Sequence, residues 1–121
     1  MMLSEIDEQL IAIGKSRKIE IRTTQSNHEG ALIDALQDAR HWADGVVFNP
    51  GGYTHTSVAL RDAISAIAIP VIEVHISNVY ARERFRHQSL LSSVCHGKVT
   101  GFGWQSYKLG LIGLIEHLQR P

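Results

Sequence analysis

His75 closes a short apolar run, Pro70-Val71-Ile72, with Glu73 two residues before it. Residues two apart on a strand share a face, so the pattern sets a carboxylate beside an imidazole. Such a pair can orient the ring and let it move a proton near neutral pH. A half-buried histidine bonded to backbone is the plainer alternative, and the strand-end position favours chemistry over it. The next residues, Ile76 and Ser77, can offer backbone N–H groups and a hydroxyl to a carboxylate, although a serine in a loop is commonly just a turn former.

A second polar stretch, Asn49-Pro50-Gly51-Gly52-Tyr53-Thr54-His55-Thr56-Ser57, follows the apolar run Gly45-Val46-Val47-Phe48. Its glycines let backbone approach a ligand closely, and Thr56 or Ser57 can cap the following helix. The stretch lacks the Gly-Lys-Ser/Thr ending of a P-loop. His55 can donate to a ligand hydroxyl or pack at the helix start, and Tyr53 shares the loop. Asp62, beside Arg61, lies seven residues after His55 and two helical turns on. As a bare charge pair it reads as solvated or inter-subunit. Arg86 belongs to a basic run with Arg82, Arg84 and His87, by default a solvated face. Placed after the His75 strand, it can also fold over a pocket and clamp a carboxylate or hydroxyl.

These residues require strands to present them. Leu3, Ile6, Leu10 and Ile13 recur at helical spacing, with Gly14 placed as a stop. Lys18 to Thr23 alternates with period two and predicts a strand. Ser26 with Glu29 fits a capping box for a helix over 31–40, with Ile33, Leu36 and Ala39 on its apolar stripe. A strand over 45–48, a helix over 58–68 ended by Pro70, and a strand over 71–75 come next. Residues 80–87 predict a short helix or ordered loop. Gly97 to Gly103 reads as a last strand weakened by glycine, and Tyr107, Leu111, Leu114, Ile115 and Leu118 make a closing helix. Alternating strands and helices imply a doubly wound parallel sheet with helices on both faces. In such folds ligands sit beyond the carboxyl ends of the strands, so both polar stretches are expected to face one pocket. The chain opens on a helix, whereas these folds normally open on a strand near the middle of the sheet.

The 121 residues are read as a single domain, 1–121, able to bury roughly 65% of its unfolded surface. Twelve basic residues balance twelve acidic ones, so no global field attracts nucleic acid or an anionic membrane. No apolar run approaches the ~20 residues of a membrane span. The single Cys95 cannot form an internal disulfide and points to a reducing cytoplasm. Its surroundings predict an inert thiol. His28, His55, His75 and Glu73 are metal ligands on paper, but no pair has metal-ligand spacing, and no metal is expected.

Four segments together resemble the type II 3-dehydroquinate dehydratases of the shikimate and quinate pathways. They are Gln25 to Gly30, Asn49 to Asp62, Ile69 to Asn78, and the run Ala81-Arg82-Glu83 with Phe85-Arg86-His87-Gln88-Ser89. The resemblance implies a flavodoxin-like α/β/α sandwich, assembly into dodecamers built from trimers, and no metal or organic cofactor. It implies dehydration of 3-dehydroquinate to 3-dehydroshikimate by anti elimination through an enolate, a step of aromatic amino acid biosynthesis. By position, His75 matches the general acid that protonates the departing hydroxyl, with Glu73 behind it. Asn49, His55 and Arg86 match contacts to substrate hydroxyls, Ile76 and Ser77 match the carboxylate-binding turn, and Asp62 matches a residue reaching a neighbouring subunit's site.

One departure accompanies the match. Members of that family begin with a strand ending in Asn-Gly-Pro-Asn-Leu-Asn-Leu-Leu-Gly, followed by a mobile loop bearing an arginine and the tyrosine that acts as base. This chain starts where their first helix would start. The absent strand is a central one, so 18–23 and 45–48 are expected to stand ~9.6 Å apart, twice the strand spacing. Three arrangements follow: the start lies upstream and the protein is an ordinary enzyme; or the chain is a truncated, weak or inactive relative that binds ligand or caps an oligomer; or a separate polypeptide supplies the strand. The first is favoured, because an entire central strand is hard to lose.

Overall fold

The computed structural model describes residues 2–120. Two helices come first, α1 (Leu3–Ser16) and α2 (Glu29–Ala39), then β1 (Val46–Phe48), α3 (Val58–Ile67), β2 (Val71–His75), β3 (Gly97–Thr100) and α4 (Gln105–Leu118). The three strands are parallel in the order β1-β2-β3. β2, with bonded neighbours on both sides, is buried at all five positions. Its Val-Ile-Glu-Val-His sequence reads accordingly as a strand covered on both faces.

Alternation along β2 divides the core. Val71 joins Leu36 of α2 and Leu60, Ile64 and Ile67 of α3 on one face. Ile72 and Val74 meet Leu114 of α4 on the other. Ile6 and Leu10 of α1 pack with Leu111 and Ile115 beside them. The result is a three-layer α/β/α arrangement, as expected. Burial of a side chain such as Leu60, which has no exposed surface, contributes roughly 1.5–3 kcal/mol. Helix α4 lies close to the sheet because Gly110 faces it: a Cβ there would stand 2.8 Å from Val74 Cγ1.

Local chemistry sets the ends of α3. Ser57 Oγ accepts from the Leu60 N–H, and Ala68 adopts a left-handed conformation (φ 59°) just before Pro70. Residues 80–87 fold as two short 3₁₀ turns, Val79–Ala81 and Arg84–His87. The last strand stops at Thr100, and Gly101 and Gly103, with φ of 94° and 61°, turn the chain into α4.

Three local expectations are corrected. Residues 18–23 form no strand: Lys18 is left-handed (φ 60°), and Ile19 to Thr23 joins no sheet ladder. Period-two alternation describes which way side chains face, but a strand also needs a bonded partner. A groove of about 1220 Å³ lies between this segment and β1, walled by Ile6, Leu10, Leu36 and Leu111. Next, Gly14 does not stop α1, which continues to Ser16. It is a point of close approach where a Cβ would overlap the Ile21 side chain and the Ile19 carbonyl. Finally, the capping box is not made. Ser26 Oγ accepts from the His28 N–H, and Glu29 instead accepts from Ser57 Oγ at 2.5 Å. Glu29 thereby ties the start of α2 to the cap of α3.

Candidate active site

Glu73 sits in mid-β2 with no exposed surface, and its carboxylate can only accept hydrogen bonds. Thr54 Oγ1 donates to Oε2 at 2.5 Å, Ser92 Oγ donates to Oε1 at 2.7 Å, and Ser89 Oγ lies 3.3 Å from both oxygens. His75 Nε2 stands 2.5 Å from Oε2. Burial pushes the Glu73 carboxyl up, but the bonds from His75, Thr54 and Ser92, with the field of Lys98, outweigh it and hold the pKa at about 2. Glu73 is therefore a fixed anion near neutral pH. Because the carboxylate must accept, Nε2 of His75 carries a hydrogen, and Nδ1 is left as the ring atom that takes or gives a proton.

Two loops supply those hydroxyls. Thr54 lies in the 3₁₀ helix Gly51–His55 after β1. Ser89 and Ser92 lie in the segment before β3, which the Arg61 guanidinium holds through the Leu90 carbonyl and Ser93 Oγ, both at 2.9 Å. The Leu90 N–H donates to the Thr54 carbonyl at 2.7 Å, joining the two loops. Sequence reading did not single out Thr54, Ser89 and Ser92 as carboxylate partners. The available signal was a cluster of serines following the His75 strand.

His55 Nδ1 is 2.6 Å from the Gln88 carbonyl, so Nδ1 is the donor and Nε2 is the ring nitrogen left for a ligand. Asn49, half-buried at the end of β1, receives the Gly51 N–H on Oδ1 at 3.0 Å and donates from Nδ2 to Tyr107 Oη at 2.9 Å. The turn after β2 is pinned through its carbonyls: the Gly103 N–H bonds Ile76 O at 2.8 Å, and Thr100 Oγ1 bonds Ser77 O at 2.9 Å. Arg86 is paired with Glu83 (2.7 Å) and lies 4.8 Å from the centre of the Phe85 ring. Asp62 is exposed on α3, one turn beyond exposed Val58. Tyr53 Oη donates to the Asn27 carbonyl at 2.9 Å.

The arrangement brings Glu73 and His75 together and links them through Thr54 to the loop bearing His55. It does not bring every expected residue into one cavity. The large groove is lined by Asn49, Tyr53 and Tyr107 but not by His55, His75 or Ser77. The Cys95 thiol, half-buried, is pushed up to about 12 by burial and by the Glu73 charge, against the opposing field of Lys98. It is a poor nucleophile near neutral pH. Among the described residues, no group of three or more His, Cys, Asp and Glu side chains converges as a metal site would require.

A parallel α/β sandwich with a hydrogen-bonded carboxylate–imidazole pair ending its central strand defines a proton-transfer class of site. The family model described as "Dehydroquinase class II" matches residues 1–115, and the chain belongs to that family. The 3-dehydroquinate dehydratase of Acaryochloris marina is 51% identical over 117 residues, covering 97% of this chain and 78% of that protein. The protein of the same name from an Exiguobacterium species is 64% identical over 99 residues, covering 82% of this chain and 68% of its own length. The crystal structure of the type II dehydroquinase from Butyrivibrio crossotus superposes with a TM-score of 0.91 at 44% identity, covering 95% of this chain and 81% of that one. No helix among the described residues is long and apolar enough to cross a membrane.

Proposed function

We propose that this chain is a 3-dehydroquinate dehydratase, eliminating water from 3-dehydroquinate to give 3-dehydroshikimate. The observation that carries the reading is the Glu73–His75 pair, buried on the central strand of a chain that belongs to this family. In the reaction a base removes a proton from the carbon beside the ketone, and the electron pair passes into an enolate. The enolate collapses as the C–O bond breaks, and His75 Nδ1 delivers a proton to the departing hydroxyl, which leaves as water. Glu73, held ionised, stabilises the imidazolium that must exist before that transfer. Asn49, His55 and Arg86 contact substrate hydroxyls, and the Ile76–Ser77 turn binds the carboxylate. Asp62, exposed beside Val58, faces the site of a neighbouring copy.

The groove beside β1 is the seat of an additional strand, and the loop that follows this strand brings the tyrosine base and its arginine. The support is physical: the outer edge of β1 has no bonded strand, apolar side chains wall the groove on both faces, and 19–23 is left without a ladder. Residues 1–121 belong to a single domain that works in the cytoplasm as a homo-oligomer, a dodecamer built from trimers. Large exposed side chains, Val58 at 60%, Phe85 at 62% and Phe102 at 64%, favour burial between copies.

Enone absorbance developing from 3-dehydroquinate tests the activity, read with this chain alone and with the strand and loop added to it. Turnover in the completed protein that is lost in His75→Ala is expected. A folded, completed protein that binds substrate without turnover would overturn the reading.

A further inference from the structure

We infer that Tyr107 is a positioning residue for Asn49, a second anchor that holds in place the amide whose facing the Gly51 N–H sets; the inference rests on the dehydratase reading for its kinetic part. The amide has two ends, a donor and an acceptor, and an unanchored Asn side chain can exchange them by a half-turn. Here the orientation follows from the partners. The Gly51 N–H can only donate, so the atom 3.0 Å from it is Oδ1. Nδ2 must then face Tyr107 Oη, 2.9 Å away, and that oxygen acts as acceptor. One N–H and one lone pair of Asn49 stay free for ligand hydroxyls, in a fixed arrangement.

Tyr107 can do this because its ring is itself held. It stacks on Trp104, with centroids 6.2 Å apart and planes 17° from parallel, and it packs against the cluster of Leu111 and Ile115 and that of Ile72, Val74 and Leu114. It stands in the first turn of α4, delivered there by the Gly101 and Gly103 turns after β3. Tyr107 and Asn49 line the same groove. Tyr53 spends its O–H on the Asn27 carbonyl.

The test is a double-mutant cycle on Tyr107→Phe and Asn49→Ala, with a second readout that needs no turnover. Tyr107→Phe keeps the ring and its packing and removes only the hydroxyl. We expect it to raise KM about tenfold while kcat stays within about twofold, and to add nothing in the Asn49→Ala background. In the substrate-free protein the side-chain amide resonances of Asn49 should shift and exchange faster with water in Tyr107→Phe. An unchanged KM, or effects that multiply in the double variant, would overturn the positioning role. Unchanged amide resonances would overturn it as well. If the completed wild-type protein binds substrate without turnover while the resonances move, the dehydratase reading fails and the positioning role stands.

Discussion

Thr54 and Glu73 are joined by a 2.5 Å hydrogen bond that ties the loop after β1 to the middle of β2. Through it the residue beside His55 and the carboxylate behind His75 are held as one unit. Thr54→Val removes this donor while keeping shape. We expect a loss of about 1.5–3 kcal/mol in a denaturant titration, the range for a hydrogen bond to a charged group, with a fall in kcat.

Glu73→Ala should be more severe. It strands His75 and the hydroxyls of Thr54 and Ser92 in the interior without their acceptor. Removing one partner of a buried pair typically costs roughly 3–5 kcal/mol. Glu73→Gln, which keeps the shape, should fold better yet lose turnover, because a neutral amide cannot stabilise the imidazolium. Equal kcat in Glu73→Gln and wild type would remove the electrostatic role given to Glu73.

His75→Ala separates chemistry from folding. Proton transfer by a placed side chain typically contributes 10²–10⁴-fold, so turnover should fall by that order. Thermal unfolding should show a smaller relative effect. A loss of structure that matched the loss of activity would argue against a catalytic role.

Acid should unfold the protein in a particular window. The Glu73 pKa is depressed from 4.5 to about 2 on folding, so the unfolded chain binds its proton more readily. The stability contributed by this group is therefore fully present above the unfolded value and is lost as pH falls from about 4.5 through about 2. Chemical denaturation across that range should show the midpoint falling, and the fall should be shallower in Glu73→Gln.

Tyr53→Phe should leave kcat unchanged, because the Tyr53 hydroxyl already donates to the Asn27 carbonyl. Its cost should be about 0.5–1.5 kcal/mol of stability, the net worth of one neutral hydrogen bond. A drop in kcat of tenfold or more would make Tyr53 a participant in the reaction.

What could be read from the chain beforehand was mostly what local pattern encodes. Val71 to His75 and Val58 to Ile67 carry their own signals: β-branched residues in one, a serine cap and a following proline for the other. Residues 18–23 carried an equally clean signal and failed, because their alternation holds no information about whether a neighbour strand is bonded to them. Gly14 read as a stop because helix-ending glycines are common, yet its smallness serves contact with Ile19 and Ile21. Glu29 had the spacing to bond backward and instead bonds Ser57, 28 residues on. The acceptor set of Glu73 was hidden for the same reason. Thr54, Ser89 and Ser92 lie 19, 16 and 19 residues from it, and no periodic rule links such positions.

The placement of Glu73 and His75 on β2 also divides the site by how often its backbone opens. β2 is bonded on both sides and buried throughout, so its amides belong to the part of the chain that releases hydrogen to solvent last, near the cost of global unfolding. Residues 76–94 hang on brief 3₁₀ turns and one bonded loop, and the amides there are expected to exchange through small local openings. The proton delivery proposed for His75 would thus draw on the most persistent strand of the sheet. The carboxylate contact proposed for the Ile76–Ser77 turn would lie instead in a segment that can open without disturbing it.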